Sequence, residues 1–225
     1  MQIDAVGFDF DHTLGIDNKL ERVGFLQLLR PICDDGGAPL GSLWQESASV
    51  DKLLELQRGG GCSIDAAVER FAAERGARNP AEFPERYKAI VLETIDCFVV
   101  PDPQAGELFA GLRDKRIPCA MLTNGWAPLQ QRKAARVGFH GDVLVSAELG
   151  VQKPEPRAFA ALAAALGTNG ENTAYVGDNP RIDVQGAIAS GLLGVWLDAE
   201  NVQYPSDGPA PSLIIHTLTG LLEFL

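Results

Sequence analysis

The stretch Ile3–Leu14, IDAVGFDFDHTL, decides the fold, because it combines an apolar run with two closely spaced carboxylates. Its apolar run Ile3–Phe10 predicts a buried β-strand, and Asp9 and Asp11 lie two residues apart at the end of that strand. Their side chains emerge on the same side, at the point where a parallel sheet opens. Two neighbouring carboxylates repel each other unless a cation neutralises them or one keeps a proton. Because an isolated D-x-D pair also ends ordinary strands in a turn, the pair needs support from elsewhere in the chain.

Short apolar runs alternate with helix-like segments from Ile117 onward, which indicates a parallel sheet covered by helices. We therefore predict an α/β fold with a Rossmann-like parallel sheet and helices on both faces. Pro156 and Gly167 fit the start and the end of one covering helix, and Pro180 and Gly191 those of another. The predicted strands are Ile3–Phe10, Pro118–Thr123, Asp142–Ser146, Thr173–Gly177, Gly194–Leu197 and Leu213–Ile215.

The region between the first strand and the alternating part contains helix-like segments and no convincing strand. We expect an inserted helical domain over residues 16–97, with the α/β domain formed by residues 1–15 and 98–225. Apolar residues at spacings of three and four predict helices over Asp51–Arg58, Ser63–Arg75 and Glu82–Asp96, with Ser63 as an N-cap. Three or four helices could form a small bundle.

Polar groups with phosphate-binding chemistry follow three further predicted strands. Thr123 and Asn124 end one strand, Lys153 precedes a helix, and Asp178 ends a strand with Asp183 one helical turn later. Taken singly, these residues suit a turn, a solvated surface lysine and a helix cap. Together with Asp9 and Asp11 they mark four strand ends on the edge where open α/β sheets bind ligands. Carboxylates for a divalent cation, a carboxylate nucleophile, hydrogen-bond donors and a lysine match phosphoryl transfer.

The overall charge limits the partners. With 30 Asp and Glu against 19 Lys and Arg, the formal charge is −11, so we expect no nucleic acid and no anionic membrane surface as partner. Any phosphate site must supply its own positive charge, from a metal ion or a lysine. Four scattered cysteines without a C-x-x-C pair, and the lack of an export signal or a long apolar segment, favour a soluble cytoplasmic protein.

The chain resembles the haloacid dehalogenase-like hydrolase superfamily, in the branch with a helical, C1-type cap inserted after the first motif. The resemblance covers nearly the whole chain, because the helical interval also lies where that branch has its cap. Four motifs match in order: FDFDHTL at Phe8–Leu14, LTNG at Leu122–Gly125, QKPEP at Gln152–Pro156 and VGDNPRID at Val176–Asp183.

The resemblance implies a role for each matched residue. Asp9 would be the nucleophile that forms an aspartyl-phosphate, and Asp11 the acid that protonates the leaving oxygen and then activates water. Mg²⁺ would be held by Asp9, the backbone carbonyl of Asp11 and Asp178. Thr123 and the backbone amide of Asn124 would bind phosphate, Lys153 would balance charge, and Asp183 would support Lys153 or a metal-bound water.

The expected function is Mg²⁺-dependent hydrolysis of a small phosphorylated metabolite, with a nucleotide or a sugar phosphate as the first substrates to try. A phosphomutase, which passes the phosphoryl group to a sugar instead of water, is an open alternative, as is a non-catalytic binding module. Dehalogenation is disfavoured because the dehalogenases of this superfamily lack the carboxylate that Asp11 supplies. Monomer and homodimer are both open.

Overall fold

The computed structural model describes residues 2–17 and 19–225 and divides the chain into two compact units. The core unit comprises Met1–Ile16 and Val99–Leu225, and the helical unit comprises Asp17–Phe98. These bounds differ by one residue from the predicted domain division. Among the described residues, no helix combines the length and the apolar character needed to cross a membrane.

The elements of regular structure are as follows. The strands are β1 Ala5–Phe8, β2 Gly15–Ile16, β3 Val100–Pro101, β4 Cys119–Thr123, β5 Asp142–Val145, β6 Thr173–Gly177, β7 Leu193–Leu197 and β8 Leu213–Ile215. The helices are α1 Leu20–Gln27, α2 Leu29–Asp34, α3 Leu43–Arg58, α4 Ile64–Glu74, α5 Phe83–Phe98, α6 Ala105–Lys115, α7 Leu129–Arg136, α8 Ser146–Leu149, α9 Pro156–Leu166 and α10 Gly186–Ala189. Short 3₁₀ helices span Pro80–Glu82 and Leu218–Phe224, and a π-helical turn spans Pro180–Gln185.

Six strands of the core unit form one parallel sheet in the order β5-β4-β1-β6-β7-β8, with helices on both sides. The predicted α/β fold is therefore confirmed, and each predicted strand is present within a few residues of its expected bounds. The two-residue strands β2 and β3 pair antiparallel outside this sheet.

Strand β1 lies in the middle of the sheet, with β4 on one side and β6 on the other. All four of its residues are buried, as expected of a strand covered on both faces. Gly7 is required there, because a Cβ at that position would lie 2.4 Å from Cδ2 of Leu162 in α9. The consequence for function is geometric: β1, β4 and β6 all end at the same edge of the sheet, next to one another.

The helical unit contains more helix than the sequence predicts, with five α-helices and one 3₁₀ helix in its described residues. Helix α3 begins eight residues before the predicted start at Asp51. Its true start is the capping box of Ser42 and Gln45, in which each side chain accepts a hydrogen bond from the other residue's backbone amide. The two large apolar residues that follow, Leu43 and Trp44, are exposed, which hides this turn from a search for amphipathic periodicity.

A cluster of aromatic rings forms the centre of the helical unit. The ring of Phe25 in α1 lies 5.2 Å from that of Phe71 in α4 and 4.7 Å from that of Tyr87 in α5, measured between centroids. Gly24 allows α1 to approach α5 closely, because a Cβ there would lie 2.5 Å from Cγ2 of Val91. The predicted N-cap at Ser63 is confirmed, since its side chain accepts a hydrogen bond from the Ala66 amide.

A fully buried ion pair joins α3 to the end of α4. The guanidinium of Arg75 donates to Glu46 through Nε at 2.8 Å and through Nη2, and its Nη1 donates to the Phe71 carbonyl at 2.8 Å. Both side chains have 0% exposure. Breaking such a pair from one side is costly because it leaves an uncompensated charge in the interior.

We expect Glu46→Ala to lower the free energy of unfolding by about 3–5 kcal/mol, because Arg75 would stay buried without its carboxylate. Urea denaturation followed by circular dichroism measures this change. The matched control is Glu74→Ala, which removes the partner of the exposed Arg70 on α4 and should leave the denaturation midpoint nearly unchanged. Equal midpoints for the two variants would contradict the role given to the buried pair.

Candidate active site

Lys153 is the centre of a buried polar cluster at the carboxyl end of β1. Its side chain is 3% exposed, and Nζ donates to Oδ1 of Asp9 and to Oδ1 of Asp183, both at 2.7 Å. Burial alone would lower the pKa of Lys153, but the charges of Asp183 and Asp9 outweigh it and hold the pKa well above its ordinary value. The ammonium is therefore charged at neutral pH and links two carboxylates from different strand ends.

Asn124, just after β4, fixes the backbone of Lys153. Its side-chain amide donates through Nδ2 to the Lys153 carbonyl at 3.0 Å, and its Oδ1 accepts from the Lys153 amide at 2.9 Å. This paired contact ties the loop before α9 to the end of β4. The side chain of Asn124 thus binds Lys153, and the contact of its backbone amide with phosphate stays a prediction. The neighbouring Thr123 is buried at the last position of β4.

The loop after β6 places Asp178 and Asp183 at the same edge. Oδ1 of Asn179 accepts from the amides of Arg181 and Ile182, both at 3.0 Å, and so caps the turn that carries Asp183. Oδ2 of Asp183 accepts in return from the Asn179 amide at 3.0 Å. With Oδ1 already bound to Lys153, both oxygens of Asp183 accept hydrogen bonds from the protein.

Two further contacts complete this loop. Gly177 admits the carboxylate of Asp183, since a Cβ at Gly177 would lie 2.4 Å from its Cγ. The indole Nε1 of Trp196 in β7 donates to the Asp178 carbonyl at 3.0 Å. The indole of Trp196 thus holds the loop backbone at Asp178, and Gly177 leaves room for the side chain of Asp183. Together these contacts keep Asp178 at the end of β6.

Asp9, Asp178 and Asp183 each offer an oxygen, and these oxygens all lie within 4.8 Å of one another. Burial, followed by the charges of Asp9 and Asp183, raises the pKa of Asp178 to about 8. The pKa of Asp9 is also raised, chiefly by burial, although Lys153 opposes the shift. A site with three carboxylate oxygens this close together suits a hard divalent cation such as Mg²⁺, which would neutralise their mutual repulsion.

The carboxylate of Asp11 has a partner of its own. Lys133 in α7 donates from Nζ to Oδ1 of Asp11 at 2.8 Å and to Oδ2 at 3.0 Å. The side chain of Lys133 is 1% exposed and that of Asp11 is 39% exposed. The same ammonium lies 4.9 Å from the ring centroid of Phe10, within the range of a cation–π contact.

The structure brings most of the predicted site residues together. Direct contacts join Lys153 to Asp9, Asp183 and Asn124, and Asp178 belongs to the same carboxylate cluster. Two contributions are not predicted from the sequence: the contact of Lys133 with Asp11, and the support that Trp196 gives to the loop after β6. A signal for Lys133 did exist: it lies on the buried face of α7, where it shares its side of the helix with Leu129, Gln130 and Ala134.

A cavity of about 690 Å³ lies beside Asp178 in the core unit. Its described lining includes the imidazoles of His12 and His216 and the carboxylates of Asp102 and Asp198, but no lysine or arginine. The positive charge that a phosphate group requires is instead supplied where Lys153 lies.

A family model for haloacid dehalogenase-like hydrolases matches residues 3–191. The chain is 30% identical over 233 residues to the pyrimidine 5′-nucleotidase YjjG of Escherichia coli, a match that covers 100% of this chain and 99% of that protein. It is 40% identical over 99 residues to a phosphoserine phosphatase of Thermus thermophilus, which covers 43% of this chain and only 40% of that protein.

Solved structures agree with the fold. YfnB from Bacillus subtilis, a HAD-hydrolase whose structure is bound to magnesium, superposes with a TM-score of 0.72 at 22% identity, covering 100% of this chain and 99% of that one. Structures of 2-haloacid dehalogenases share the fold as well, at identities of 23% or lower, so they carry no information on the reaction. The family match over most of the chain, the full-length relative and the parallel sheet lead to one conclusion: this protein belongs to the haloacid dehalogenase-like hydrolases and is a hydrolase.

Proposed function

We propose that the protein is a Mg²⁺-dependent phosphatase that hydrolyses a small phosphomonoester through an aspartyl-phosphate on Asp9. The observation that carries the proposal is the buried cluster in which Lys153 bridges Asp9 and Asp183 beside Asp178. The names of the relatives support it, because YjjG is a nucleotidase and the Thermus protein a phosphatase.

The carboxylates at the sheet edge fit the proposed metal. Asp9 and Asp178 would hold Mg²⁺ together with the backbone carbonyl of Asp11, while Asp183, whose oxygens already accept from Lys153 and Asn179, would support the site from behind. When bound, Mg²⁺ neutralises the carboxylates and the phosphoryl oxygens, so that an anionic nucleophile can approach an anionic substrate. The magnesium in the YfnB structure is consistent with this choice of ion.

The reaction would proceed in two displacements. The carboxylate of Asp9 attacks phosphorus and forms a new P–O bond while the bond to the leaving oxygen breaks, and Asp11 donates its proton to that oxygen. Ionised Asp11 then takes a proton from water, whose oxygen attacks phosphorus and releases inorganic phosphate. Asp9 is restored as a carboxylate and Asp11 as an acid, so the cycle closes.

The remaining groups bind and orient the phosphate. Lys153 contacts Asp9 and would share its positive charge with the phosphoryl oxygens, while the Thr123 hydroxyl and the Asn124 amide donate hydrogen bonds to them. In this proposal the helical unit acts as a cap that selects the leaving group. The free cysteines are in keeping with a reducing, cytoplasmic location.

We expect the purified protein to release inorganic phosphate from p-nitrophenyl phosphate only with millimolar Mg²⁺, and Asp9→Asn to abolish this release because the nucleophile is gone. Asp4→Asn is the matched control: it makes the same change at the opposite, exposed end of the β1 segment and should keep full activity. The assay is phosphate release, which separates hydrolysis from phosphoryl transfer to a sugar. Activity in Asp9→Asn would contradict the proposal.

Pyrimidine nucleoside monophosphates and phosphoserine, suggested by the names of the relatives, are the first metabolites to try.

The pKa of about 8 for Asp178 predicts how the metal-free protein responds to pH. Because the unfolded chain ionises this group near its ordinary value of 3.8 while the folded protein retains the proton, stability is highest below that value and is lost as pH rises towards 8. We therefore expect the melting temperature in EDTA to fall more for the wild type than for Asp178→Asn as the pH rises from about 5 to about 8. Above about pH 8, the difference between the two melting temperatures should stay constant.

The same proton competes with the cation. Mg²⁺ affinity, measured by calorimetry, should rise from about pH 6 to about pH 8 and then level off, because Asp178 must be ionised to bind metal. An affinity that stays constant over this range would contradict the role of Asp178 as a ligand.

A further inference from the structure

Lys133 is a charged side chain in the interior of the core unit to which the phosphatase mechanism assigns no role. It lies in the last turn of α7, on the face that packs against the sheet, and its side chain is almost wholly buried. Burial of an ammonium costs several kcal/mol, and an apolar residue of similar length would fill the same space without this cost. The groups that the ammonium contacts should therefore explain why a charged residue occupies this buried position.

The ammonium of Lys133 meets both oxygens of one carboxylate. The distances to Oδ1 and Oδ2 of Asp11, 2.8 and 3.0 Å, are nearly equal, so Nζ lies near the bisector of the carboxyl group. A donor in that position fixes the rotation of the carboxylate as well as its location. The partly exposed Asp11 is thus bound by a lysine whose side chain is buried and whose ammonium also lies near the ring of Phe10.

The two buried lysines divide the two carboxylates of the first motif between them. Lys153 contacts Asp9 and Asp183, and Lys133 contacts Asp11. They reach the site from different elements, since Lys153 precedes α9 and Lys133 lies within α7. The nucleophile and the acid/base group are therefore held by separate cations, and removal of one need not disturb the other.

We propose that Lys133 is a positioning residue that holds the Asp11 carboxyl group in the orientation from which it passes a proton to the leaving oxygen and later accepts one from water. The inference rests on the proposed role of Asp11 as acid and base. Lys133 itself contacts neither substrate nor phosphorus in this account. We assign its effect on the reaction to its contact with the Asp11 carboxylate.

Two substrates with different leaving groups distinguish a positioning role of Lys133 from a purely structural one. Phenyl phosphate and p-nitrophenyl phosphate share a ring, but phenolate is the poorer leaving group and needs the acid more. We expect Lys133→Met to lower kcat/KM for phenyl phosphate by about 10- to 100-fold, because misplacement of a catalytic group by an ångström costs about that much. The loss in kcat/KM for p-nitrophenyl phosphate should be about threefold or less, because nitrophenolate departs without protonation.

Two variants serve as controls. Lys133→Arg keeps a cation with several donors and should restore most of the activity towards phenyl phosphate. Arg132→Met removes a cation from the exposed side of the same helix and should change neither substrate's kinetics. If Lys133→Met does not fold, Lys133→Gln, which removes the charge and keeps a polar amide group, takes its place in the comparison.

Asp11→Asn separates failure of this inference from failure of the proposed function. A larger loss on phenyl phosphate than on p-nitrophenyl phosphate in Asp11→Asn establishes the acid. Equal losses on the two substrates in Lys133→Met would then overturn the positioning role and leave the phosphatase intact. If Asp11→Asn itself shows no such preference, the acid role and the inference built on it fall together.

Discussion

Electrostatic repulsion among three neighbouring carboxylates is the constraint on which this site depends. Asp9, Asp178 and Asp183 bring their oxygens within 4.8 Å of one another, and two of them, Asp9 and Asp183, are buried. Among the described residues, Lys153 places its ammonium against Asp9 and Asp183, while burial, joined by the neighbouring carboxylates, still raises the pKa values of Asp9 and Asp178. A divalent cation would neutralise the remaining negative charge of the three carboxylates. An acidic protein could then bind an anionic substrate at this site.

The sheet topology makes this crowding possible. Because β1 lies between β4 and β6, the three strand ends that carry Asp9, Thr123 and Asp178 are neighbours although they are far apart in sequence. Parallel strands present these ends on one edge, the edge where open α/β sheets bind ligands. Close approaches at Gly7 and Gly177 allow the helix and the loop behind the site to pack without displacing it.

The strands and most of the site followed from the sequence because their signals are local. Apolar runs predict buried strands, and side chains at strand ends meet once the strands are parallel. Helices α1 and α2 were missed because their local signals are weak: Lys19 is the N-cap of α1 but makes no capping hydrogen bond with its side chain, and α2 has only six residues with Pro31 inside. The contact between Lys133 and Asp11 spans 122 positions, so only the packing of α7 on the sheet reveals it.

The most direct test of the central claim is whether Asp9 carries the phosphoryl group. Protein mixed with p-nitrophenyl phosphate and Mg²⁺, quenched in acid and digested, can be analysed by peptide mass spectrometry, with Asp11→Asn used to slow breakdown of the intermediate. The account predicts one added phosphoryl group on the peptide that contains Asp9, lost when hydroxylamine cleaves the acyl phosphate. Product formation with no phosphoryl group on that peptide, or with the label on another residue, would contradict it.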